Sequence, residues 1–270
     1  MKYYLYNPNA NNGIRAEVPG AQMTDASTVD YPAFFNSLNE DDEVVLIGGD
    51  GTVNYLINHV DCENLRNNVY LLSNGTGNDF LHDIEKPEGE EVLLNPYLEG
   101  LPTVWVNGLE QKFINNMGFG IDGYCCEVAD QIKAKSPNEK INYTGIAIKG
   151  LLFHFKPCHA TVEVDGVTRE FDNVWIAPSM KGRFYGGGMK MAPDQNRFSG
   201  LVSVVVYQSK SKLKALINFP SIFEGKHVAK TDMVTVITGK KVHVTFSRPC
   251  AAQIDGETVL NVSEYRVEQP

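Results

Sequence analysis

The first hundred residues alternate between short apolar runs and glycine-rich turns. Lys2–Tyr6, Glu43–Ile47 and Val69–Leu72 are predicted strands, and the second of these is too apolar for a strand with one wet face. Apolar side chains then recur at helical spacing over residues 53–60. The order strand, glycine turn, helix, strand predicts an α/β domain whose parallel sheet is covered on both faces.

From about Leu101 the pattern changes to alternating polar and apolar positions. Val162–Thr168 alternates around the Asp165–Gly166 pair, which is a strong hairpin signal. Further strands are predicted at 201–207, 234–237 and 241–246, and two helical stretches at 141–155 and 213–223. We therefore predict an α/β domain over residues 1–100 and a mainly antiparallel β-sandwich-like domain over 101–260, with residues 261–270 returning to the first.

Composition and charge narrow the class of protein. The chain has 270 residues, 43% of them apolar and 21% charged, which excludes disorder and suits two domains. The net charge of −9 argues against a nucleic-acid binder. Residues 1–135 hold 7 basic and 21 acidic side chains, whereas 136–270 hold 17 and 12, which suggests that the two halves have different partners.

The sequence also favours a cytoplasmic location. No signal peptide opens the chain, and no run of 18 apolar residues is present. Five cysteines without a CxxC pair are typical of reduced thiols rather than of a disulfide framework or a zinc site, and the adjacent Cys125 and Cys126 are expected to pack.

The segment Gly48–Asn54 (Gly-Gly-Asp-Gly-Thr-Val-Asn) carries the clearest chemical signal. Glycines at a strand end let backbone amides approach an anion, and the following helix start favours phosphate. Asp50 would repel phosphate unless Mg²⁺ lies between them or it orients a substrate hydroxyl. The plain alternative is a glycine turn with an aspartate cap.

A second glycine turn, residues 73–80, follows the next predicted strand. Because the carboxyl ends of parallel strands meet at one edge of a sheet, both turns are expected to border one polar crevice of nucleotide size.

These residues resemble the catalytic domain of diacylglycerol kinases, which sphingosine kinases and bacterial YegS-like lipid kinases share. The resemblance extends nearly end to end, over seven segments: Asn7–Pro8, Gly48–Asn54, Gly75–Phe80, Asn115–Gly123, Gly186–Pro193, Gly225–His227 and Gln253–Glu257. It implies an α/β nucleotide domain, a β-sandwich-like second domain and an active site between them.

The resemblance also implies an activity: Mg²⁺-dependent transfer of the γ-phosphoryl group of ATP to a lipid hydroxyl. The residues that it assigns to the nucleotide are Asn7, Gly49, Asp50, Gly51, Thr52, Asn54, Gly75 and Thr76. Asp50 is further expected to act in catalysis through the ATP-bound Mg²⁺. Glu257 is the expected general base, Asp255 its partner or a metal ligand, and Asp122 a residue lining the cleft near the acceptor.

Phosphoryl transfer needs positioning, charge neutralisation and one carboxylate to accept the proton of the alcohol. Side chains two apart on a strand can face the same way, which suits Asp255 and Glu257, but a turn at Gly256 weakens this argument. On its own, Asp122 reads as a turn or cap residue.

The sequence departs from the family pattern in two loops. The loop after Asn7–Pro8 lacks the usual Ser-Gly and its lysine, which indicates an altered phosphate grip. In the segment 194–200, Phe198 and Ser199 stand where the bacterial pattern has Asp-Asp, so the family's structural Mg²⁺ site is expected to be lost or rebuilt.

The remaining expectations concern partners. Two interpretations remain for the second helical stretch. In one, Lys210, Lys212 and Lys214 face solvent while the apolar residues Leu213, Leu216, Ile217 and Phe219–Phe223 pack on the core. In the other, these lysines and apolar residues dock on anionic lipid headgroups. The main hypothesis is a lipid kinase that contacts an anionic membrane transiently, and a homodimer is left open. The alternatives are a kinase of a soluble acceptor such as NAD and a nucleotide- or lipid-binding regulator without turnover.

Overall fold

A computed structural model describes residues 1–10, 17–74, 78–136 and 139–270 of the chain. The chain divides into two compact units, Met1–Leu101 and Pro102–Pro270.

The first unit is a five-stranded sheet with short helices. Its strands are β1 (Lys2–Tyr6), β2 (Met23–Asp25), β3 (Glu43–Gly48), β4 (Asn68–Ser73) and β5 (Glu91–Leu93), in the order β2-β1-β3-β4-β5. All neighbours are parallel except β4 and β5. The helices are α1 (Tyr31–Ser37), α2 (Asp50–His59) and α3 (Asp79–Asp83). The central strand β3 is buried from Val44 to Gly48, as its unbroken apolar sequence requires.

The second unit is an antiparallel sheet of ten strands. They are β6 (Thr103–Val106), β7 (Leu109–Lys112), β8 (Asn116–Phe119), β9 (Cys158–Val164), β10 (Val167–Ile176), β11 (Ser179–Met180), β12 (Val202–Gln208), β13 (Val234–Gly239), β14 (Lys241–Ile254) and β15 (Glu257–Glu268). The helices are α4 (Ile121–Lys135), α5 (Tyr143–Lys149) and α6 (Lys212–Asn218), and a π-helical turn covers Gly150–His154.

The long strand β14 closes this sheet on itself. Its first half pairs with β9, its last residues pair with β8, and both parts pair with β15. The register shifts between Thr245 and Ala252, in a stretch that contains Pro249, a residue tolerated in a sheet only at such irregular places. The enclosed core is rich in valine and aromatic side chains, including Phe119, Phe246 and Tyr265.

One expectation about this unit was wrong, and one of its helices was not predicted. Residues 261–268 belong to β15, which pairs with β14 and β6, so they lie in the second unit and do not return to the first. The sequence interpretation also missed α4, a helix of 15 residues. Within the described ranges, no helix is long and apolar enough to cross a bilayer.

Candidate active site

In the first unit, the predicted nucleotide residues collect where β1 and β3 end. The amide of Asn7 donates to the carbonyl of Ile47 (2.9 Å), and its side-chain amide donates to the Thr52 hydroxyl (3.0 Å). The Asn74 amide donates to the Gly48 carbonyl (2.8 Å), which brings the end of β4 to the same edge. The structure therefore joins three strand ends into one polar edge.

Close packing at the start of α2 explains the first glycine of the motif. A Cβ on Gly48 would lie 2.0 Å from the Thr52 hydroxyl oxygen, so a larger residue would displace that side chain. The helix begins at Asp50, directly after Gly49, which has no side chain to cap it. Backbone amides at such a helix start attract anions.

Asp50 links the two glycine turns. Its carboxylate accepts hydrogen bonds from the backbone amides of Asp79 (3.0 Å) and Phe80 (3.3 Å), the first residues of α3. The aspartate is therefore a cap, as the plain alternative supposed, but for the helix of the neighbouring loop. Its assignment to catalysis and to an ATP-bound metal stays a prediction.

The other predicted nucleotide residues differ in how much the structure says of them. Gly51 is exposed in the first turn of α2, whereas Asn54 is buried one turn later and its side-chain and backbone oxygens accept from Asn58. Gly75 and Thr76 lie outside the described residues.

In the second unit, Asp255 and Gly256 form the two-residue turn between β14 and β15. Ile254 pairs with Glu257, and the turn residues have φ of 47° and 94°, as in the primed turns that Asp-Gly favours. The alternation argument for Asp255 and Glu257 on one strand face therefore does not apply.

The Asp255 carboxylate holds a neighbouring backbone segment. It accepts hydrogen bonds from the amides of Ile114 (2.7 Å), Asn115 (2.8 Å) and Asn116 (3.0 Å). The Asp255 amide in turn donates to the Asn116 carbonyl (3.0 Å). These bonds give Asp255 a positioning role at the edge of β8, and its catalytic assignment stays a prediction.

Glu257 follows this turn as the first residue of β15, and its side chain is exposed. Burial raises the pKa of Tyr143 to about 12, and the negative charge of nearby Glu257 adds a small further increase. An exposed carboxylate on a fixed hairpin end can accept a proton from a bound alcohol, so the geometry is compatible with the predicted general base.

Asp122 lies in the first turn of α4 and is buried. Burial raises the pKa of its carboxyl to about 6, although hydrogen bonds from the Gly123 amide and from the side chain of Gln253 act in the opposite direction. A Cβ on Gly118 would lie 1.7 Å from the carboxylate, and one on Gly123 would lie 2.1 Å from the Ala251 carbonyl oxygen. These glycines allow α4 to approach β8 and β14 closely.

Gln253, which the sequence interpretation quoted but gave no role, bridges Asp122 to the hairpin turn. Its amide nitrogen lies 3.4 Å from the Asp122 carboxylate, and its carbonyl oxygen accepts from the Gly256 amide (2.8 Å). Its position in the segment Gln253–Glu257, two residues before Asp255, is the sequence feature that could have indicated this role. The two acidic regions of this unit are therefore coupled through one glutamine.

The loop over residues 194–200 does not fit a magnesium ion. The Gln195 amide nitrogen donates to the Leu201 carbonyl (2.9 Å), and the Arg197 guanidinium donates to the Ile114 carbonyl (2.9 Å). Gln195 and Arg197 are buried, whereas Asp194 and Phe198 are exposed. Amide and guanidinium donors satisfy carbonyl oxygens of the kind that Mg²⁺ would bind, and a fixed positive charge opposes a cation. Among the residues with described positions, no three His, Cys, Asp or Glu side chains group as metal ligands.

Two protein-family models match this chain, one in each of its two units. The diacylglycerol kinase catalytic domain matches residues 6–102, and the YegS C-terminal NAD kinase beta sandwich-like domain matches residues 115–267. A solved structure of a candidate diacylglycerol kinase from Bacillus anthracis has the same fold, with a TM-score of 0.69 and 18% identity over 99% of this chain and 91% of that one.

Curated relatives agree with these domain matches. A diacylglycerol kinase of Mycobacterium tuberculosis is 26% identical over 211 residues, 75% of this chain and 66% of its own length, so the chain spans about two thirds of that relative. YtlR of Bacillus subtilis, named as a candidate lipid kinase, is 26% identical over 239 residues, 83% of this chain and 76% of its own length. The predicted family and fold class are confirmed: the chain belongs to the diacylglycerol kinase family, with a catalytic domain followed by a YegS-type β domain.

Proposed function

We propose that this protein is a lipid kinase that transfers the γ-phosphoryl group of MgATP to the hydroxyl of a diacylglycerol-like or sphingoid lipid. One observation carries the proposal. In a chain of this family, the carboxylate of Asp50, in the first glycine turn, accepts hydrogen bonds from the first amides of α3, at the end of the second glycine turn. The bonds hold the second turn beside the start of α2, whose first backbone amides at the carboxyl edge of the sheet suit a phosphate group.

ATP is assigned to the edge of the first unit. Asn7 and Thr52 would contact it through side chains, and Gly49 and Gly51 through the backbone at the start of α2, with Gly75 and Thr76 completing the set. Mg²⁺, bound with the nucleotide, would neutralise charge on its phosphates. Asp50 is the carboxylate that we assign to that ion.

The acceptor is assigned to the second unit. The hydroxyl oxygen of the lipid forms a bond to the γ-phosphorus, its proton passes to the Glu257 carboxylate, and the bond to the β-phosphate oxygen breaks to release ADP. Asp122 lines the acceptor side. Asp255 fixes the hairpin turn from which Glu257 projects.

A lipid acceptor resides in a membrane, so the enzyme has to work at a membrane surface. We therefore propose a cytoplasmic protein that contacts anionic membranes peripherally and transiently.

An acceptor panel tests the function. Purified protein is given [γ-³²P]ATP and Mg²⁺ with diacylglycerol, monoacylglycerol, sphingosine or ceramide in detergent micelles, or with NAD. We expect label in at least one lipid. Glu257→Gln should lower kcat about 10²–10⁴-fold with ATP affinity unchanged. Glu264→Gln, an exposed glutamate on the same strand, should retain activity.

Label in NAD alone would assign a soluble acceptor. ATP binding without transfer to any acceptor, equal in wild type and Glu257→Gln, would assign a regulator without turnover. Either result contradicts the proposal.

A further inference from the structure

Helix α6 has a buried face and an exposed apolar face. Ala215 is buried, and Leu216 and Phe219 pack beside it against the core of the second unit. Leu213 and Ile217, four residues apart and thus on one side of the helix, are 64% and 68% exposed. The sequence suggests one apolar face for Leu213, Leu216, Ile217 and Phe219–Phe223, but the structure divides these residues between core and surface.

The π-helical turn Gly150–His154 adds a third exposed apolar side chain beside this helix. The Lys212 amine donates to the Leu152 carbonyl (2.8 Å), which ties α6 to the turn. Phe153, next in the chain, is 74% exposed, whereas Leu151 and Phe155 on either side are buried. We call Phe153, Leu213 and Ile217 the exposed apolar triad.

Basic side chains lie in the same segments as the triad or contact those segments, and they have no acidic partner among the described ion pairs. Lys149 and Lys156 flank the turn, and Arg248 donates to the Lys156 carbonyl and lies over the Phe155 ring. No Asp or Glu occurs in residues 140–162 or 195–223. Among the ion pairs of the described residues, none involves Lys149, Lys156, Lys212 or Arg248.

Two other lysines of the region are excluded from this surface. Lys210 and Lys214 line a cavity of about 330 Å³ together with Asp172 and Asp232, whose charges oppose theirs. The contrast between the two units remains large without them. Without Lys210 and Lys214, residues 102–270 hold 18 basic and 16 acidic side chains, whereas residues 1–101 hold 4 and 17.

We propose that the exposed apolar triad and its four cations, Lys149, Lys156, Lys212 and Arg248, form the surface that docks this protein on an anionic lipid bilayer. The inference rests on the proposed function, because a lipid acceptor resides in a bilayer. Apolar tips enter the boundary between headgroups and acyl chains, while the cations, which form no ion pair within the described residues, meet the anionic phosphates. Charge complementarity selects this occupant, since the segments that carry the triad hold lysines and no Asp or Glu and so match an anionic surface.

Vesicle flotation without ATP tests the docking surface independently of catalysis. The vesicles are phosphatidylcholine alone or with 30% phosphatidylglycerol. The triple variant Phe153→Ser/Leu213→Ser/Ile217→Ser is compared with Val167→Ser, which removes another exposed side chain (60% exposed) at the opposite end of the β9–β10 hairpin. These side chains face solvent, so both variants should keep the wild-type melting temperature.

We expect the triple variant to bind anionic vesicles at least tenfold more weakly than wild type, and Val167→Ser to bind like wild type. Lys149→Gln and Lys156→Gln should each weaken binding by roughly fivefold. Equal binding of wild type and triple variant, or equal binding of wild type to both vesicle types, would overturn the proposal. So would a wild-type dimer in lipid-free solution that the triple variant loses, because a second copy would then cover the triad.

Failure of the docking surface and failure of the kinase activity are separable. A triple variant that phosphorylates micellar lipid normally but loses activity on anionic vesicles supports docking. If no lipid is phosphorylated while the vesicle pattern holds, the proposed function fails and the docking surface stands. If micellar lipid is phosphorylated and wild type does not bind vesicles, the docking surface fails alone.

Discussion

The hydrogen bonds of the Asp255 carboxylate lead to a sharp prediction for Asp255→Asn. Asparagine tolerates the positive φ of this position, and Asn107 occupies the same kind of place, with φ of 48° before Gly108, in the β6–β7 hairpin. The substitution therefore keeps the turn. It removes the negative charge and replaces one acceptor oxygen by an NH₂ group that faces backbone amides.

The expected size of the effect follows from the three bonds of 2.7–3.0 Å to Ile114, Asn115 and Asn116. Hydrogen bonds to a charged group contribute about 1.5–3 kcal/mol each, and those to a neutral group about 0.5–1.5. Losing one bond and weakening the others should cost about 2–4 kcal/mol in a partly buried site. The matched control is Asp165→Asn, at an exposed Asp-Gly turn whose carboxylate accepts from Lys240 and Lys241.

Hydrogen–deuterium exchange measures this cost locally. In Asp255→Asn, amides 114–116 should exchange at least tenfold faster, since about 1.4 kcal/mol corresponds to a factor of ten. In Asp165→Asn, amides 240–241 should exchange faster than in wild type, and amides 114–116 should exchange at the wild-type rate. Unchanged protection of amides 114–116 in a folded Asp255→Asn protein would show that the Asp255 carboxylate does not hold this segment.

Three further predictions concern single side chains. Because the folded pKa of Asp122 is raised from 3.8 to about 6, the folded state binds more protons between these values, and the free energy of unfolding should fall as pH rises from 4 to 6, by up to about 3 kcal/mol. Urea titrations should show this slope in wild type, and its persistence in Asp122→Asn would contradict the assignment. Arg197→Ala should lower the melting temperature by leaving the Ile114 carbonyl without its donor, whereas EDTA should leave that of wild type unchanged, and a melting temperature that drops in EDTA would argue for a structural metal. Asp50→Asn should accelerate exchange of the α3 amides about tenfold, with Asp61→Asn as a surface control, and equal protection in both would show that the cap does not hold that helix.

The sequence predicted the regular part of the fold because its strands carry local signals. β3 is an unbroken apolar run, and the alternation of polar and apolar residues around Asp165–Gly166 predicts the β9–β10 hairpin. Helix α4 was missed although apolar residues recur along it, from Ile121 through Cys125 and Ala129 to Ile132. Its buried side is built from small and polar residues, which give a weak hydrophobic period.

The site was less predictable, because its contacts join distant positions. Asp255 bonds amides about 140 positions earlier in the chain, and Gln253 reaches Asp122 across 131 positions. No local pattern encodes such pairs. The buried state of Asp122 likewise depends on Gly118 and Gly123 letting a helix approach two strands, which only the assembled packing reveals.

The three-way pairing of β14 also bears on how the second unit is made. Both β8 and β9 leave one edge unpaired until β14 is present. β14 and β15 together occupy residues 241–268. On the ribosome, the eight earlier strands of that unit, β6 through β13, emerge with open sheet edges. We therefore expect the unit to become resistant to aggregation and proteolysis only once residues 241–268 have been made, and nascent chains that stop short of β14 should bind chaperones.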